Sequence, residues 1–191
     1  NVTGVQTCAL PIYDAALTQQ LADVWGTLRP PSADKHAIIE KLQEQLSPAT
    51  LARADLRHGR QLFQQTCAPC HVLYGEGARV GPDLTGSGRS NLNYLLENIV
   101  DPSAVVPAEF RMSIATLKDG RVLNGIISGR NERTLRLQGL GEAVVLENRE
   151  IQSVQTADQS LMPDGLLEGL PADAVRDLIG YLMHNQPVPL K

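Results

Sequence analysis

The chain has 191 residues, 42% hydrophobic and 20% charged, which excludes a disordered polymer and allows one ordinary domain with a smaller second one. A net charge of −4 argues against nucleic acid as the main partner, and no apolar run approaches the ~20 residues of a membrane span. Aromatic residues make up only 4%, so a large prosthetic group would help to fill a core, and three cysteines are too few for a disulfide framework.

Val2 to Ile12 (VTGVQTCALPI) reads as the translation of a short-read sequencing adapter, so residues 1–12 are set aside as an artefact and Cys8 with them. The natural N-terminus, with any signal region, is then expected upstream of this fragment. Tyr13 to Thr27 has helical spacing of Ala16, Leu17, Leu21, Val24 and Trp25, with Trp25 in a packing role, and Arg29-Pro30-Pro31 breaks it. Ser32 is placed to cap a second helix running to about Leu46, and Ser47-Pro48 opens a short turn. Residues 13–52 are expected to be a helical linker left from an upstream region.

Leu51 to Gln65 is predicted as one helix with Leu56, Gly59, Leu62 and Phe63 on a face. A glycine on that face costs about 1 kcal/mol against alanine, which predicts a second helix crossing closely at Gly59. The helix leads into Cys67-Ala68-Pro69-Cys70-His71, the C-x-x-C-H spacing of covalent c-type haem attachment. Two thiols at this spacing can each form a thioether to one porphyrin, and the next imidazole can reach the iron. A zinc site would need a second Cys or His pair, and none follows at ligand spacing. A thioredoxin-like dithiol would need a βαβ context, whereas a helix precedes Cys67.

Five glycines follow between Val72 and Arg89, without the Gly-Lys-Ser/Thr of a phosphate loop. Within them, Gly81-Pro82-Asp83-Leu84 offers the Pro82 carbonyl as an acceptor for the Nδ1–H of His71, which would fix the tautomer of a metal-bound imidazole. Asn91 to Val100 is a short helix with a stripe of Leu92, Leu95, Leu96 and Ile99, stopped by Asp101-Pro102.

From Arg111 the period changes to two. Met112–Leu117, Val122–Ser128, Thr134–Gln138, Ala143–Leu146 and Ile151–Thr156 are predicted strands with turns between them, and Gly125 marks a bulge or tight bend. The run DGRVLNGII, then TLRL, resembles small SH3- or Sm-like barrels. Few aromatics and no basic run speak against RNA there. Pro171 starts a last predicted helix to Asn185, buried through Val175, Leu178, Ile179 and Leu182. Gly180 pairs it with the helix of Gly59 and Phe63.

A haem held by His71 leaves a second axial position, and its occupant decides between electron carriage and ligand chemistry. Met162, in an irregular segment before Pro163, is the leading candidate. Met112, Met183, His184 and an open or water-occupied site are the alternatives, with Met112 and Met183 read first as packing. His36 and His58 are read as solvated.

Taken in order, CAPCH, GEG, VGPDLTG, NYLLENIVDPSAVV, the β insert and SLMPDGLL resemble the haem-binding domain of the planctomycete and verrucomicrobial type, within the class I cytochrome c superfamily. The resemblance covers about residues 55–190. It implies a mainly α cytochrome c fold, three core helices around one covalent haem c, with His71 proximal, Met162 on the family's SLMP methionine and Pro82 supporting His71. The cytochrome halves would be residues 53–110 and 157–191, with residues 111–156 as an inserted five-strand β-barrel-like subdomain. The resemblance also implies an extracytoplasmic, periplasmic setting and redox partner proteins, a fused or separate dehydrogenase as donor and a respiratory acceptor.

The functional expectation is a one-electron carrier rather than an enzyme, since no nucleophile, base and oxyanion arrangement is present. The alternative is a haem sensor or enzyme with an open sixth iron site. The β insert is either a docking element for the partner enzyme or a folded decoration.

Overall fold

The computed structural model describes Ala16 and residues 32–189. Cys8, Trp25 and, apart from Ala16, the helix predicted over Tyr13 to Thr27 lie outside the described residues.

The first helices follow their caps. α1 spans Ala33–Gln45, with the Ser32 hydroxyl accepting from the Lys35 amide, and α2 is a single turn, Pro48–Leu51, capped by Ser47. α3 spans Leu56–Thr66. It starts five residues later than the predicted Leu51 because the Asp55 carboxylate accepts from the Arg57 and His58 amides and ends the preceding turn there. α4 spans Leu92–Val100 behind the Asn91 cap, and α5 spans Ala172–Met183. α5 ends two residues short of the expected Asn185 because His184 turns to extended backbone.

These helices share one apolar core. Phe63, Leu96, Leu178, Ile179 and Leu182 are almost completely buried in it, and each contributes about 1.5–3 kcal/mol of burial. Ile39 of α1 and its C-cap Leu46 are buried in the same core, so α1 packs on the helices that follow it. α3 and α5 cross as the glycine pattern predicts. A Cβ on Gly59 would fall 2.1 Å from the Asp177 carbonyl oxygen, and the Phe63 and Tyr181 rings meet at 5.7 Å. Gly180 approaches Ala54, just ahead of α3, where a Cβ would lie 2.5 Å from the alanine methyl.

Between α4 and α5 lies the β insert: β1 Arg111–Leu117, β2 Val122–Arg130, β3 Thr134–Gln138, β4 Val144–Glu147 and β5 Ile151–Ser160. All pairs are antiparallel in the order β4-β3-β2-β1-β5. The expected barrel-like closure is corrected here. β4 and β5 do not pair with each other, so the sheet is open, with both as edges. β2 pairs with β1 up to Gly125 and with β3 from Ile126 on, and its register shift falls between Ile127 and Gly129, not at the expected Gly125. Ala115, Leu117, Leu135, Leu137 and Leu146 form a second core separate from the helical one. The insert leaves and returns at adjacent positions, Arg111 opposite Ser160.

Candidate functional site

The Cys-His segment is built by the C-terminus of α3. The Cys67 amide still donates to the Phe63 carbonyl, and the His71 amide donates to the Cys67 carbonyl at 2.8 Å, so both cysteines and His71 lie on one tight turn. The glycine loop then folds back on it. Amides of Ala78, Val80 and Gly81 donate to the carbonyls of Ala68, Cys70 and Cys70. The reversal is a tight turn at Tyr74-Gly75, with φ of 54° and 82°, closed by the Leu73 and Glu76 backbones.

That return delivers Pro82 to His71. His71 Nδ1 lies 2.9 Å from the Pro82 carbonyl oxygen, which can only accept, so Nδ1 carries the proton. Nε2 makes no hydrogen bond among the described residues and keeps its lone pair. Gly81 lies against the ring, where a Cβ would sit 2.6 Å from Cε1.

The two thiols are free. Burial, with Cys70 alongside, pushes the Cys67 thiol up to about 12, and burial raises Cys70 as well. Both are therefore protonated at neutral pH, whereas a redox dithiol or thiolate cage needs lowered thiols. Among the described residues no group of three or more His, Cys, Asp or Glu side chains gathers to hold a metal ion. Two protonated thiols and one imidazole with a free Nε2 are the donor set that a covalent haem requires.

Residues 56–106 match the family model described as Cytochrome c. Over these residues the chain is similar to cytochrome c domains. Such domains bind haem c covalently through its vinyl groups, hold its iron and pass electrons to partner proteins. Among curated proteins, none matches the chain. Among the described residues no helix is long and apolar enough to cross a membrane.

The remaining site residue, Met162, comes from a different part of the chain, 91 residues after His71. Met162 follows β5, half-buried, and its amide donates to the Ser160 hydroxyl at 3.1 Å. Of the alternatives, Met183 packs against the helical core and Met112 lies half-buried in β1. The His184 Nδ1 is 2.8 Å from the Gln186 carbonyl. His36 is exposed, as expected. His58 is not simply solvated, because its Nδ1 lies 2.8 Å from the buried Asp177 carboxylate.

Two residues around this domain escaped the sequence reading. Arg89, at the end of the glycine loop, is 7% exposed. Its guanidinium donates to the Leu182 carbonyl at 2.7 Å, to the His184 carbonyl and to the Tyr74 hydroxyl, placing a cation on the C-terminal carbonyls of α5. Lys35 in α1 reaches Asp101 and Asp164. Neither sequence neighbourhood signals these partners, which, apart from Tyr74, lie more than sixty residues away.

Proposed function

We propose that the chain is a one-electron carrier with a single covalent haem c. Cys67 and Cys70 would form the thioethers, His71 Nε2 would be the proximal ligand and Met162 the distal one, with α3, α4 and α5 as the three core helices. Bound there, the haem would supply one-electron cycling between ferrous and ferric iron. The carrying observation is the 2.9 Å contact of His71 Nδ1 with the Pro82 carbonyl, which leaves Nε2 as the free donor on the turn that holds both thiols. The Pro82 hydrogen bond orients the imidazole and fixes its tautomer.

Within class I cytochromes, the motif order supports the planctomycete and verrucomicrobial type. Donor and acceptor are then a fused or partner dehydrogenase and a respiratory acceptor, in an extracytoplasmic compartment where covalent attachment keeps the haem from dissociating. The chain itself performs no bond-making chemistry on a substrate.

The test is a reduced-minus-oxidised absorbance spectrum of protein made with haem maturation machinery, together with the near-infrared band that reports sulfur ligation to ferric iron. A c-type spectrum with that band, lost in Met162→Ala, is expected. Haem bound without the band would overturn His/Met ligation in favour of an open or nitrogen-ligated sixth site. Absence of covalent haem would overturn the whole reading.

A further inference from the structure

We propose that Lys35 is a positioning residue for Met162, acting by holding the loop that carries it; this rests on the reading of Met162 as the distal ligand. The Lys35 ammonium, in the first turn of α1, donates to Asp101 Oδ1 at 2.8 Å and to Asp164 Oδ1 at 2.9 Å. Asp101 is the C-cap of α4, and Asp164 lies two positions after Met162 in the loop between β5 and α5. One cation therefore joins three segments that are distant in sequence.

The two halves of this bridge differ. The Asp101 side chain is 12% exposed and anchors the ammonium, whereas the Asp164 side chain is 61% exposed and is the movable end. Among the described residues, the other hydrogen bonds of residues 161–165 stay close in sequence, from the Met162 amide to Ser160 and from the Glu168 amide to the Gly165 carbonyl. The Asp164 contact is thus the polar link between this loop and the helices.

Beneath the bridge, α1 and the loop close on each other. Ile38, Ile99, Val100 and residues 165–168 surround a cavity of only about 20 Å³, and Leu167 is buried in the helical core. A loop tied at one end by Leu167 and at the other by β5 has Met162 and Asp164 as its free span. Opening of that span would withdraw a thioether from iron. An ion pair made only when the loop is closed shifts the balance toward closure by its own free energy.

The experiment measures carbon monoxide binding to the ferrous holoprotein, the sulfur band of the ferric form and amide exchange across residues 161–168. Met162→Ala sets the rate for an unprotected iron. Lys35→Met and Asp164→Asn are each expected to raise the carbon monoxide rate about threefold over wild type, the size of effect an ion pair with one exposed partner supports. They should also quicken exchange in the loop, and Lys35→Arg should restore both. Ile39→Ala loosens the packing of α1 without touching the ammonium, and should lower thermal stability while leaving the carbon monoxide rate unchanged.

Rates for Lys35→Met and Asp164→Asn equal to wild type would overturn the proposal. So would an equal rise in Ile39→Ala, which would assign the effect to helix packing. If wild type already matches Met162→Ala, Met162 is not the ligand and the proposal falls with that reading. The two failures are distinct, because only the second makes wild type and Met162→Ala alike.

Discussion

Gly59 and Asp177 put two helix backbones in contact. A Cβ at Gly59 would fall 2.1 Å from the Asp177 carbonyl oxygen and 2.7 Å from the Tyr181 Cβ. The obstacle is backbone, so no rotamer change relieves it, and α3 would have to move off α5. Gly59→Ala is expected to destabilise the protein by about 3 kcal/mol. Urea unfolding checks this, and a loss below about 1 kcal/mol would mean that the helices re-pack without strain.

The same reasoning applies at the imidazole. The acceptor of the His71 proton is the main-chain carbonyl of Pro82, so no side-chain deletion removes it. Gly81→Ala reaches it indirectly, since a methyl there would lie 2.6 Å from Cε1 and 2.9 Å from Nδ1 of His71. The ring must tilt away from Pro82. Holoprotein of this variant is expected to show a weakened His–iron bond, seen as a larger high-spin fraction in the absorbance spectrum, with unchanged covalent haem content. An unaltered spin state would show that the ring position is not set by this contact.

Acid sensitivity should centre on Asp177. Burial raises its carboxyl, but hydrogen bonds from His58, the Asp55 amide and Arg176 outweigh burial and hold it below its ordinary value. A carboxyl lowered by folding contributes stability that is fully present above its unfolded pKa, about 3.9, and is lost as pH falls through the folded value. Asp177→Asn is expected to lower stability by about 2 kcal/mol at neutral pH. It should also flatten the fall of Tm on acidification below about pH 5. Parallel Tm profiles for the two proteins would rule out Asp177 as the titrating group.

Arg89 closes the end of α5 with a buried charge. Replacement by methionine keeps the volume but leaves the Leu182 and His184 carbonyls without their cationic donor. Arg89→Met is expected to cost about 3 kcal/mol in urea unfolding. Amide exchange should quicken first at residues 182–186 and in the glycine loop, because Arg89 also binds the Tyr74 hydroxyl and stacks 4.9 Å over its ring. Uniform quickening across all helices would instead assign Arg89 to global stability.

Local signals made much of this protein legible in its sequence. Thiol spacing in CAPCH, the apolar stripes that include Phe63 and Leu96, the cap at Ser32, and the two-residue alternation from Arg111 each depend on neighbours within a turn or a strand. So does the reach of Pro82 back to His71, which a short glycine loop closes. The cap at Asp55 is equally local, but the helix expected from Leu51 runs through it.

What tertiary structure alone decided involves groups that must find partners far along the chain. Lys35 meets Asp164, Arg89 meets the end of α5, and His58 meets Asp177. Whether β4 and β5 close a barrel depends on how near the two sheet edges come, and here they do not pair. Covalent spacing and side-chain periodicity are properties of contiguous residues. The partner of a buried charge and the closure of a sheet are properties of the packed whole, because both depend on the distance between segments that only the folded core brings together.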